Sequence, residues 1–233
     1  MSYKFFVYRM PVMGASIFIA LNAIAIYFYG KPPYSFFDNY LSSMGEMYIK
    51  YNQFGTQFPN HISMIIWGFA MVMGGITISL FYNSLPKALT KEVNLGALPF
   101  YARYIGIVAG FFFLMIGLTP VDQVQDLHVF FAQYAFRILL LLSLIHTVII
   151  FRAEMMPNRY AIGYMVFCFI LAAYVILITF GPHDSALGKD YPDRTDWDTF
   201  IHSIHVISQK IIAITFIGSV VHQSFGLRDI YES

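Results

Sequence analysis

The side chains best suited to chemistry fall in two short runs, 119–128 (TPVDQVQDLH) and 196–210 (DWDTFIHSIHVISQK). In the second run, Asp198, His202, His205 and Gln209 follow i,i+4 and i,i+3 spacing. At helical phase they form one narrow stripe. Two imidazoles spaced this way can share a metal ion, with Asp198 as third ligand or as the carboxylate that fixes a ring tautomer. His128, in the first run, would complete the set. Zinc is the ion such donors would take, and a zinc-bound water would suit hydrolysis of a lipid amide or ester. The competing reading is structural: interfacial histidines hydrogen-bonded to loop carboxylates. An H-x-x-H pair alone does not choose between them.

A second chemistry is suggested by two cations, Arg137 and Lys210, each deep within an apolar run. No acidic residue lies at their depth, and an unpaired charge in hydrocarbon is costly by several kcal/mol. One reading has them bonded to carbonyls or to Gln133 and Gln209, or snorkelling to an interface. The other has them serve an anion such as a lipid head group. Helical phase puts Asp126, Gln133 and Arg137 on one face, with His128 and His146 nearly opposite. The expectation is an outward polar cavity that engages a lipid or lipid-like ligand. Asp122, Asp126 and His128 form one wall and His202 and His205 the other, with Arg137 and Lys210 beneath. Its ligand-binding residues are Asp122, Asp126, Gln133, Arg137, Gln209 and Lys210. This arrangement requires the fourth and sixth apolar runs to be neighbours.

The elements that must hold these residues are membrane spans. Of 233 residues, 58% are hydrophobic and only 12% charged, and the mean hydropathy is +0.62. A soluble domain carries about 25% charge, so the solvent for this surface is lipid. A net charge of +1 leaves no basic face for nucleic acid. The single cysteine, Cys168, has no internal disulfide partner. Six runs have spanning length, at about 20 residues each: 11–30, 61–82, 100–118, 128–151, 161–180 and 200–225. The expected fold is a single all-α domain, an integral multi-pass bundle of six transmembrane helices. No cleavable leader is expected, because Pro11 opens the first run and no A-x-A site follows it.

Charge sets the expected orientation. With alternate threading, one side holds Lys4, Arg9, Lys87, Lys91, Arg103, Arg152, Arg159 and Arg228. The other holds Lys31, Lys50, Lys189 and Arg194 together with most of the acids. The positive-inside rule then predicts cytoplasmic termini, with the long connections 30–60 and 181–199 outside or in a lumen. The aromatic loop 34–60 is expected to fold over the mouth or to dock a partner chain.

Three segments recur in a known order: Leu41-Ser42-Ser43-Met44-Gly45, then Gly117-Leu118-Thr119-Pro120-Val121-Asp122 with His128, then Gln209-Lys210. In this the chain resembles the DRAM/FRAG/Sfk group of eukaryotic six-span proteins and its prokaryotic relatives, over about residues 10–225. Lys210 departs from the arginine usual there, which weakens the case for a bidentate anion contact. The resemblance implies association with membrane lipids, lipid-anchor remodelling or trafficking, and no one reaction. Three functions remain: a lipid-engaging membrane protein, a metal-dependent membrane hydrolase, and a non-catalytic subunit binding other membrane subunits.

Overall fold

The computed structural model describes residues 4–51, 56–90, 92–184 and 195–232. Lys91, Lys189 and Arg194, which enter the charge count, lie outside the described residues. Among the described residues, six helices are long and apolar enough to cross a membrane. A wide π-type turn, Phe5–Arg9, runs into α1 (Met10–Tyr27). There follow α2 (His61–Ala88), α3 (Leu98–Leu118), α4 (Gln125–Arg152), α5 (Arg159–Phe180) and α6 (Asp196–Glu232). Proline occupies the first turn of α1 and of α3, where its missing N–H costs nothing. Gly181 ends α5.

Some helices outrun the expected spans. α4 and α6 have 28 and 37 residues. At 1.5 Å per residue they are about 42 and 55 Å long, against about 30 Å of hydrocarbon. Their first turns, with Asp126 and Asp198, therefore stand at or beyond the interface. α1 is shorter than expected and stops at Tyr27 rather than near residue 30.

The helices form a ring. Each packs chiefly on its neighbours in sequence, and α1 touches α6 sparsely to close it. The tightest pair is α2 with α3, for a reason visible in the sequence. Gly68 faces Gly117 and Gly75 faces Gly110 so closely that a Cβ at any of them would lie 2.3–2.8 Å from the opposing glycine's carbonyl oxygen. Small residues allow the backbone approach that drives helix association in lipid.

The connection between α1 and α2 is not plain loop. It contains a 3₁₀ turn at Leu41–Gly45 and an antiparallel hairpin, β1 (Tyr48–Tyr51) with β2 (Thr56–Pro59), pairing Tyr48 with Pro59 and Tyr51 with Thr56. Side-chain contacts bring this connection together with the α3–α4 turn and the described part of the α5–α6 loop. That end is called the hairpin end below.

Two expectations about helix placement are overturned. α4 and α6 are not adjacent in the ring, where α5 stands between them, although their side chains meet in its interior. The polar face of α4 also does not point inward. Its buried stripe is His128, Phe131, Ala135, Leu139, Leu142 and His146, whereas Asp126 is exposed and Gln133 and Arg137 are half-buried. The physical reason is that Arg137 can be satisfied at the α4–α5 edge. Its guanidinium donates to Gln133 (3.4 Å) and to Thr179 on α5 (3.3 Å) and lies over the Tyr134 ring at 5.5 Å. A long stem with a well-partnered head needs no interior site.

Candidate functional site

The three sequence segments meet at the hairpin end. Asp122 uses both oxygens on the hairpin: Met47 N–H donates to Oδ1 at 2.8 Å and Tyr48 N–H to Oδ2 at 3.0 Å. Gln123 Nε2 also donates to Oδ2, at 2.8 Å. Asn60, buried just before α2, organises the other side. Its Nδ2 donates to the Met44 and Glu46 carbonyls at 3.3 and 2.9 Å, and its Oδ1 accepts from Gly30 N–H at 3.3 Å. Met44 is fully buried, and Gly45 lies flat against Trp67, where a Cβ would fall 2.4 Å from the ring. The 3₁₀ turn is thus inserted into the end of the bundle.

Glu46 sits between these anchors. Burial pushes its carboxyl up to about 7, opposed by a hydrogen bond from Ser43, reinforced by the nearby Asp122 charge and opposed again by Lys50.

The histidine stripe of α6 holds the same loop from the other side. His202 pairs through Nδ1 with Asp184 Oδ2 and through Nε2 with the Asp38 carbonyl, both at 2.7 Å. Both partners are acceptors, so the doubly protonated ring satisfies both bonds. Tyr40 donates to the same Asp184 oxygen. His205 Nε2 donates to the Pro182 carbonyl at 3.1 Å. Asp198 forms a capping box with Thr195, each accepting the other's backbone N–H at 3.1 Å. Lys210 is buried and donates to the Asn39 carbonyl at 2.6 Å, with its Nζ over the Phe36 and Tyr34 rings at 4.9 and 5.7 Å. The outer mouth expected to be an open polar cavity is therefore filled by residues 34–45.

No group of three or more His, Cys, Asp or Glu is placed to hold a metal ion among the described residues. The expected set of Asp198, His202, His205 and His128 is spread over separate loop contacts.

Beneath the inserted loop lies a cavity of about 180 Å³. α1 contributes Gly14 and Phe18, α2 Trp67 and Met71, and α3 Phe113 and Ile116. α4 contributes His128, Ala135 and Phe136, α5 Tyr164, and α6 Gln209 and Phe216. No charged side chain lines it. Its polar groups include Ser42, His128, Gln209 and the indole N–H of Trp67, which is buried without a partner. His128 is 4% exposed, and its Nδ1 lies 2.6 Å from the Thr119 carbonyl.

The predicted site residues thus separate into three groups. Asp122, Lys210, His202, His205 and Asp198 anchor loops and a helix start. Asp126, Gln133 and Arg137 lie on the outer side of α4. Only His128 and Gln209 reach the cavity. Asn60, Thr119 and the aromatic lining were not singled out by sequence reasoning. The aromatic residues are spread over the helices, and one ring in an apolar run looks like any other. Asn60 did leave a signal, as a lone amide abutting a span. Comparison with protein-family models, with curated proteins and with solved structures finds no match for this chain.

Proposed function

We propose that this six-span membrane protein engages a lipid by its apolar part, which enters the interior cavity, rather than by an anionic head group in a polar mouth. The observation that carries this reading is the uncharged cavity of about 180 Å³ within the helix ring. Left unfilled, its lining lacks packing partners, and in lipid close packing is what holds helices together. Apolar cavities of about 150 Å³ stay dry and take up a ring-sized guest. The space therefore suits one ring or a short run of methylenes, with the remainder of the lipid passing into the bilayer. The seam between α1 and α6 is the natural exit. Both helices line the cavity, they touch sparsely, and α1 is mostly lipid-exposed. The resemblance to the DRAM/FRAG/Sfk group points the same way, toward lipid association.

The hydrolase reading lacks an assembled ligand set among the described residues, and no contact favours a partner-subunit reading. Native mass spectrometry after gentle detergent extraction tests the proposal. Wild-type protein is expected to carry a co-purified lipid, and Ala135→Leu, which fills the cavity from α4, is expected to lose it while its melting temperature holds or rises. A lipid-free wild type that Ala135→Leu neither changes nor stabilises would sink the proposal.

A further inference from the structure

The polar atoms of the cavity say which lipid it would take. The Thr119 carbonyl can only accept, so the 2.6 Å contact makes Nδ1 of His128 the donor. No acidic side chain lines the cavity to balance an imidazolium. The neutral ring is then protonated on Nδ1, and Nε2 is left as an acceptor. That acceptor belongs to a side chain that is 4% exposed and lines the cavity. An acceptor lining an apolar cavity gains a hydrogen bond from a donor that enters it. Hydrocarbon cannot supply the donor, and neither can an ester, an ether or a ketone. Ser42 lines the same cavity, as does Trp67, whose indole N–H is buried without a partner, and both can donate to an incoming hydroxyl oxygen. The lining holds no cation for a phosphate or carboxylate, because Lys210 is taken by the Asn39 carbonyl and Arg137 by Gln133 and Thr179.

We infer that the cavity selects a neutral lipid alcohol, whose hydroxyl donates to Nε2 of His128 while its ring or chain fills the aromatic-lined space. The inference rests on the reading that the cavity holds a lipid, and it adds the chemical class and the residue that chooses it. The Thr119 carbonyl is the positioning group, since it fixes the tautomer from the turn that ends α3.

The test uses purified full-length protein in detergent and three matched probes: 4-octylphenol, its methyl ether and octylbenzene. Hexadecanol and its methyl ether separate a chain-borne hydroxyl from a ring-borne one. Binding is read by fluorescence quenching of the aromatic lining or by calorimetry. At least one alcohol is expected to bind about tenfold or more tightly than its ether. In His128→Phe that preference is expected to vanish while octylbenzene still binds. Equal affinity of both alcohols and their ethers overturns the inference and leaves the lipid reading standing. Binding of no probe at all overturns the lipid reading as well. Persistence of the preference in folded His128→Phe also overturns the inference. If His128→Phe does not fold, the wild-type comparison decides alone, supported by ¹⁵N shifts of His128. Those should show an Nδ1-protonated ring whose Nε2 resonance moves with alcohol and not with ether.

Discussion

Asp122 and Glu92 do the same job at opposite ends of the bundle. Asp122 accepts the successive amides of Met47 and Tyr48, and Glu92 accepts those of Glu154 and Met155 at 2.9 and 2.8 Å. A carboxylate that accepts two backbone N–H groups ties one loop to another, and helix ends and turns offer many such donors. From composition alone, Asp122 beside His128 looks like a ligand pair. The difference lies in which backbone atoms the carboxylate meets, and no local spacing encodes that. Glu46 shows the opposite balance. Its carboxyl, held up near 7 mainly by burial, binds more protons in the folded chain than in the unfolded one between about pH 4.5 and 7. Stability therefore falls as pH rises through that window and stays at the lower level above it. Glu46→Gln is expected to flatten this dependence and, at pH 8, to raise stability by about 1–3 kcal/mol. Thermal melts in detergent from pH 4.5 to 8 check the sign: wild type should lose more stability than the variant across that range.

At the scale of elements, α2 and α3 were readable as spans. Their mutual register was not readable. A Cβ on Gly75 would lie 2.4 Å from the Gly110 carbonyl oxygen and 2.9 Å from the Leu114 nitrogen. Gly75→Ala should gain up to about 1 kcal/mol of helix propensity and lose more to overpacking, about 1–3 kcal/mol. The net expectation is a lower melting temperature, and a rise would show that the helices can part without cost. The loop 34–45 depends on α6 in a comparable way. Lys210→Met keeps the aliphatic stem but removes the donor to the Asn39 carbonyl. Amides of residues 34–45 should then exchange with deuterium about tenfold faster, with α2 and α3 unchanged. Unaltered exchange would mean that the His202 contacts hold the loop alone. The hairpin itself was not anticipated, because two four-residue strands inside an aromatic loop carry too short a period to stand out.

For the molecule as a whole, alternate threading brings the long connections toward one end, and the charge count leads to the expectation that this end faces outside. An impermeant maleimide tests this on intact cells in a Cys168→Ser background. A cysteine at Phe37, exposed at the hairpin end, should label, and one at Thr90, exposed at the opposite end, should not. The reverse pattern would invert the orientation. The packing of the first loop also explains why the expected polar cavity is not found among the described residues. The aromatic first loop fills the mouth, and the helices leave their space lower down, among side chains too apolar to draw notice in a sequence.

The sequence alone determined the class of the protein. Six apolar runs of spanning length, an excess of cations on one side and polar runs between them follow from hydrocarbon thickness and charge, which act on each segment separately. The runs that carry Asp122, His128 and Lys210 come together at one end of the bundle. What each of those residues does was decided only by tertiary structure. Whether a carboxylate meets amides or a ligand, and whether a cation faces a cavity or a loop carbonyl, depends on helix order and rotation. Those are set by packing between residues far apart in the chain. His128 shows both halves of this. Its position marks the start of a span, and its meaning comes from the Thr119 carbonyl on one side and the cavity on the other.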